Sequence, residues 1–207
     1  RIQRGLHMPP KHARTSETVA PGANLELEAC LRCPARPRGF CAEFTADELA
    51  EIAAMKLPAR TLPPRTEIYH QGEHPGGYYA VLAGWVALRI GLEDGSRHIF
   101  DFALPGAFLG IVSGPAMEFS HAADCITEVR ICELPRAALH QFVDQRPRAL
   151  ERLLHITACH AARAQDHFTN LSGRDARDRL AHLLVELFFR ARHRLPVHAG
   201  DSIAIPL

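Results

Sequence analysis

The sequence has no apolar run long enough to cross a bilayer. Its longest candidates, 181–189 and 203–207, are short or broken by polar residues, against the roughly 20 apolar residues a spanning helix needs. A secretion signal is also missing: the opening RIQRGLHMPPKHART is basic and Pro-containing, with no apolar core and no small-residue cleavage site. There is little charge excess, since 24 Lys and Arg face 23 Asp and Glu for a net charge of +1. Bulk electrostatics therefore point to no nucleic acid partner, although a local basic patch stays compatible with one. No glycine loop that cradles phosphate, no Ser/His/Asp set and no paired carboxylates of defined spacing occur. These absences weigh against a membrane protein, a secreted protein and most enzyme classes. The expected location is the cytoplasm.

Six cysteines stand against that background, and three of them, Cys30, Cys33 and Cys41, form a C-x2-C-x7-C cluster. In a reducing compartment such a cluster is read as metal binding before it is read as a disulfide. At 207 residues and 47% hydrophobic, the chain can bury the core of one medium domain with an appendage.

The organisation follows from punctuation and period. Residues 1–29 are rich in Pro, Gly, Ser, Thr and charge and read as a disordered basic arm, followed by a cysteine loop over 30–44. Thr45-Ala-Asp-Glu48 is a capping box and starts a short helix carrying Leu49, Ile52 and Ala53. From Pro58 to Pro135, short period-two apolar stretches alternate with turns at Pro63-Pro64, Gly72, Gly84, Asp94-Gly95, Pro105-Gly106 and Gly114-Pro115, the pattern of a β-roll or barrel. The clearest hairpin joins residues 85–90 to 98–102 through Glu93-Asp94-Gly95-Ser96. The roll domain is thus expected over 45–145, with a short helix over 135–143.

A long helix is expected over 146–171, opening at Pro147. Leu150, Leu154, Thr157, Ala161, Ala164, Phe168 and Leu171 repeat with alternating gaps of four and three, an a/d seam suited to a second copy of the helix. The plainer reading is a stripe packed on its own domain. Leu153 and Ile156 offer a second stripe for that purpose, which would leave the seam free. Ser172-Gly173 ends the repeat. A further helix is expected from about 175 to 193 with Leu180, Leu183, Leu184, Leu187 and Phe188 on one face, opening a domain over 172–207 that the chain does not complete.

Together the clustered cysteines, the roll with Pro105-Gly106-Ala-Phe-Leu-Gly110, the seam helix and the Arg-rich helix after it resemble the Crp/Fnr superfamily of bacterial transcription regulators. The resemblance spans about 30–207 and is strongest to the oxygen-sensing fumarate and nitrate reduction regulator type. It implies an α+β fold: a cyclic-nucleotide-binding-type β-roll (double-stranded jelly roll) with flanking helices, a dimerisation helix and the start of a winged helix-turn-helix domain. Cys132-Glu-Leu-Pro135 matches the place where those regulators carry a fourth, internal cluster ligand. A parity argument agrees: if 124–134 is one strand, Cys125 shares a face with Val129 and Ile131 toward a core, and Cys132 faces outward, where an N-terminal loop can pack.

The resemblance therefore implies a 4Fe-4S cluster on Cys30, Cys33, Cys41 and Cys132. It further implies a homodimer through the seam, palindromic operator DNA and RNA polymerase as partners, no membrane and no catalytic residues. The recognition helix is expected beyond Leu207, so the 207 residues alone are expected not to bind an operator specifically. The cysteines leave other readings open: four thiolates equally suit structural zinc, or act as unligated redox-active thiols. Cyclic nucleotide is not expected, because the positions matching the ribose-binding Glu and the phosphate-binding Arg are Ile111 and Phe119, the latter before Ser120. A cupin-like metalloenzyme would rest on His70, His74 and His98, but His70-x3-His74 crosses an expected turn at Gly72. Cys125 is expected as a buried apolar residue and Cys159 as an incidental thiol one helical turn from His155.

Overall fold

The computed structural model of the chain describes residues 21–112, 117–192 and 198–206. Helix α1 (Pro21–Leu31) leads into the cysteine loop and α2 (Ala46–Met55). Strands β1 (Arg60–Leu62), β2 (Glu67–Tyr69), β3 (Gly77–Ala83), β4 (Val86–Gly91), β5 (Arg97–Ala103), β6 (Phe108–Leu109), β7 (Ala122–Cys125) and β8 (Val129–Pro135) follow. Helices α3 (Arg136–Gln145), α4 (Pro147–Gly173) and α5 (Ala176–Arg192) close the order. The strands form two antiparallel sheets, β1-β8-β3-β6 and β2-β7-β4-β5.

The roll interior lies between the sheets and contains Tyr69, Val81, Val86, Leu109, Phe119, Cys125, Val129 and Ile131, all buried. The β4–β5 hairpin turns at Gly95, whose φ of +83° suits a residue without Cβ. Arg89 of β4 is clamped between Glu67 of β2 and Asp124 of β7, tying three strands of one sheet together. A second core covers the outer face of the other sheet. There Phe40 and Phe44 of the cysteine loop meet Leu49 and Ile52 of α2, Tyr78, Phe108 and Leu134 of the roll, and Leu139, Phe142, Ala149 and Ile156 of α3 and α4.

The helix signals have local physical causes. In α2 the Glu48 amide donates to Thr45 Oγ1 at 3.2 Å and the Thr45 amide donates to Glu48 Oε2 at 2.8 Å, the reciprocal capping box. Such caps contribute about 1 kcal/mol. Helix α4 runs 27 residues from Pro147 in its first turn. Asp175 precedes α5, its carboxylate accepting from the Asp178 amide at 2.9 Å.

Several expectations are corrected. The arm placed over 1–29 is helical from Pro21 onward, and Cys30 belongs to the last turn of that helix rather than to a loop; residues 1–20 lie outside the described residues. The single strand expected over 124–134 is two strands in different sheets, separated at 126–128. The two cysteines nevertheless face as parity implies. Cys125 ends β7 facing the interior, and alternation along β8 sends Val129 and Ile131 inward and Cys132 and Leu134 to the helix-covered face. The apolar face expected for α5 is also divided: Leu187 is buried and Leu183 and Phe188 are half-buried, while Leu180 and Leu184 are exposed. The cause is docking. Helix α5 folds back so that Arg190 donates to Asp101 of β5 at 2.8 Å, and His167 of α4 meets Glu186 at 2.8 Å.

Candidate cysteine centre

Three separate elements bring four thiols to one place. Cys30 rides on α1, Cys33 and Cys41 on the loop, and Cys132 on β8 opposite Ala80 of β3. The loop between them is a chain of tight turns in which the Gly39 amide donates to Ala35 O at 2.9 Å and the Ala42 amide to Gly39 O at 3.2 Å. Phe40 plugs the loop into the second core, its ring stacked on Phe108 at 4.8 Å and edge-on to Phe44 at 5.1 Å. The loop lies against the turn before β6 so closely that a Cβ on Gly106 would stand 2.4 Å from Arg38 Cβ.

All four thiols line a cavity of about 50 Å³, with Phe40, Leu49, Ile52 and Leu134 among its walls. Cys30, Cys33 and Cys132 also border an outer cavity of about 380 Å³ beside Glu26, Lys56 and Arg130. Lys56, at the end of α2, pairs with Glu26 of α1 and keeps only 4% of its side chain exposed. The next amide, Leu57, donates to Glu133 O at 2.9 Å and fixes the end of α2 beside Cys132.

Burial acts on three of these thiols. Burial raises the Cys30 and Cys41 thiols and pushes Cys132 up to about 12, with the neighbouring thiols raising them further and Lys56 opposing the rise at Cys30 and Cys132. Left alone, buried thiols of this kind stay neutral; a bound cation is what makes them thiolates. Among the described residues, no three His, Cys, Asp or Glu side chains gather closely enough to hold one metal ion. Four cysteines around one cavity, next to a second one with more room than a single water's ~30 Å³, are a donor set of the type that both a structural zinc and a 4Fe-4S cluster take.

The other expected positions lie elsewhere. Cys125 is in the roll core, and Cys159 is exposed on α4 with its sulfur 3.6 Å from His155 Nε2. His70 pairs with Glu67, His74 lies 3.7 Å from Glu118 and His98 lies 3.4 Å from Ser96 Oγ, three separate surroundings. Phe119 stacks on Tyr69 at 3.9 Å inside the roll, while Ile111 and Ser120 border a cleft of about 600 Å³ between α4 and the β4–β5 sheet. No seam residue is buried: Leu150, Leu154, Phe168 and Leu171 are 49 to 71% exposed, and Thr157, Ala161 and Ala164 line the same cleft. Sequence reasoning missed Lys56, Arg36 and Arg152. Arg36 donates to Phe44 O at 3.1 Å within the loop, and Arg152 of α4 donates to the carbonyls of Arg38 and Gly39. Neither Lys56 nor Arg36 carries a motif; Arg152 stands beside the Leu153/Ile156 stripe, which marked the inward face of its helix.

A two-sheet roll with an N-terminal thiol set and a long helix behind it defines a domain of the cyclic-nucleotide-binding type. The family model for the cyclic nucleotide-binding domain matches residues 59–146. The nitrogen fixation regulation protein FixK of Bradyrhizobium diazoefficiens is 30% identical over 178 residues, 86% of this chain and 73% of that protein. The transcriptional activator protein FnrL of Cereibacter sphaeroides is 27% identical, covering 76% of this chain and 62% of its own length. Among solved structures, FixK2 from Bradyrhizobium japonicum superposes with a TM-score of 0.59 at 31% identity, over 69% of each chain. The chain belongs to the Crp/Fnr family of transcription regulators. Its relatives are regulators rather than enzymes.

Proposed function

We propose that this chain is the sensing and pairing part of a DNA-binding regulator that reads oxygen through a 4Fe-4S cluster on Cys30, Cys33, Cys41 and Cys132. The observation that supports this reading is that cysteines from α1, the loop and β8 line one small cavity, with Cys125 and Cys159 left out. When bound, the cluster supplies an oxygen-labile crosslink between those elements.

The residues do the rest. Cys30, Cys33 and Cys41 would hold the loop down, Phe40 excludes water from beneath it, and Lys56 offsets the negative charge of the ligand set. Because the loop shares a core with Ala149, Leu153 and Ile156 of α4, its docking bears on the helix that carries the seam. A ligand moves such an equilibrium only by interacting differently with its two arrangements, and the shared core provides the difference. The homodimer, palindromic operator DNA and RNA polymerase belong to this same reading. In the effector position, Ile111 and Phe119 offer no partner for a cyclic phosphate or ribose, which supports a signal other than a cyclic nucleotide.

Iron and acid-labile sulfide, measured on anaerobically purified protein, test the proposal. About four of each per chain are expected, retained in Cys125→Ala and lost in Cys132→Ala. Zinc in place of iron, or the reverse pattern in the two variants, would overturn it.

A further inference from the structure

We propose that Arg152 is the residue through which the cysteine centre and the seam of α4 bias one another, an inference that rests on the cluster reading above. Arg152 leaves α4 on the inward side, between Ala149 and Ile156, both buried. Its Nε donates to Gly39 O at 3.1 Å, its Nη2 donates to the same oxygen at 2.8 Å, and Nη2 also reaches Arg38 O at 3.3 Å. Those carbonyls stand two and three residues before Cys41. The planar fork of a guanidinium suits adjacent acceptors in a way that a lysine ammonium does not.

The loop cannot easily yield at that point while it stays docked. A Cβ on Gly39 would come within 3.2 Å of Ala35 O and 3.3 Å of Gly106 O, so this stretch lies flat between two backbones. Gly39 O also accepts from the Ala42 amide, which fixes its direction. If the ligands at Cys33 and Cys41 are released and the loop lifts, a half-buried guanidinium loses its acceptors together. A charged group stripped of hydrogen bonds is costly, and the relief open to it is movement of the first turns of α4. Leu150 and Leu154, the first two seam positions, lie two residues to either side of Arg152. Arg152 touches no ligand of the cluster, so its role is positioning.

Coupling between two sites is reciprocal. If a docked loop favours pairing across the seam, pairing must protect the docked loop, and with it the cluster, by the same factor. The test uses the anaerobically loaded full chain. Decay of the cluster's visible absorbance under oxygen is timed at protein concentrations below and above the dimer midpoint, and dimer fraction is followed by sedimentation velocity. In the unaltered protein the lifetime should lengthen on pairing by a factor of about 5 to 150, the usual span of coupled sites. Arg152→Met should hold the same iron and sulfide yet decay at a rate independent of concentration, its dimer constant no longer shifting on cluster loss. Arg152→Lys, which keeps charge and stem, should fall between the two and decides the question if the Met variant does not fold. Wild-type coupling in either well-folded variant would overturn the role of Arg152. A loaded wild-type whose lifetime ignores concentration would overturn the coupling while leaving the cluster standing, and a wild-type without iron would remove both.

Discussion

Replacing Gly106 by Ala tests whether the cysteine loop is docked as described, independently of any metal. Gly106 has a φ of +98° and its amide donates to Val81 O at 2.8 Å, so the turn is held to β3. Gly95, in the hairpin, has a comparable φ of +83°, but a Cβ there would meet nothing within 4 Å. Both substitutions carry the conformational cost of a side chain at positive φ, about 1–2 kcal/mol. Only Gly106→Ala adds a methyl 2.4 Å from Arg38 Cβ and 3.2 Å from the Arg38 carbonyl carbon; overpacking of this kind costs roughly 1–3 kcal/mol. The expected ordering is therefore a loss of about 1–2 kcal/mol for Gly95→Ala and about 2–5 kcal/mol for Gly106→Ala. Urea unfolding of the reduced, metal-free chain measures it, with the slope checked for constancy. Should the loop lift instead of straining the turn, the midpoint will drop less, but the half-buried Cys41 will react faster with a bulky maleimide. Equal midpoints and equal Cys41 labelling in the two variants would refute the docking of the loop on this turn.

Leu154→Glu combined with Phe168→Glu should abolish the dimer in sedimentation velocity while changing the monomer's stability by no more than about 0.5 kcal/mol, since both side chains are exposed in the single chain; an intact dimer would remove the seam from consideration. Lys56→Met should slow alkylation of Cys30 and Cys132 near pH 9, because the ammonium that favours their thiolates is gone; unchanged rates would mean that Lys56 serves only its pair with Glu26. Acid should weaken the fold through His121 and His160. Burial lowers both below the ordinary 6.5, with Arg163, Arg190 and His121 adding to the fall at His160 and Asp101 opposing it. A lowered folded value means stability is complete above pH 6.5 and is lost as pH falls through the folded values, by less than about 1.4 kcal/mol per pH unit for each partly solvated ring. Melting curves between pH 7.5 and 5 should flatten in His160→Gln, and an identical slope would dismiss that imidazole as a cause.

What residue order makes legible is local or periodic. Thr45 and Glu48 announce α2 because a capping box is complete within four residues, and Asp94-Gly95 announces the hairpin because the turn must reverse there. The a/d spacing of α4 marks its exposed stripe for the same reason. Alternation misplaces the strand containing Cys132, because it continues across 126–128 although the chain changes sheets, and period alone does not register a crossing. Helix α1 has no such signal, since Pro21–Leu31 carries no charged first turn and only a weak apolar face. Lys56, Arg36 and Arg152 are invisible for a deeper reason: each acts through carbonyls, carboxylates or thiols that come near only after folding.

On the proposed reading, the division of the interior into two cores lets sensing and pairing share a small domain. The roll interior, with Cys125, Phe119 and Tyr69, joins sheet to sheet and contains no residue of the cysteine loop or of α4. The second core contains both: Phe40 and Phe44 from the loop, Ala149 and Ile156 from the helix, with Cys41, Cys132 and Leu153 at its margin. A loop that leaves this core uncovers Phe108 and Leu134 without opening the roll, so its release need not unfold the domain. On the proposed reading, release of the loop acts on α4, since α2 and α3 are fixed to β8 by the Leu57 amide and by chain continuity at Pro135. Helix α4 is tied beyond its first turns as well, by Arg163 at 3.6 Å from Asp101 and by His167 to Glu186 of α5, so a shift of α4 must carry these pairs with it. Packed cores favour discrete rearrangement over gradual deformation, so on the proposed reading α4 and the groups paired with it would shift together.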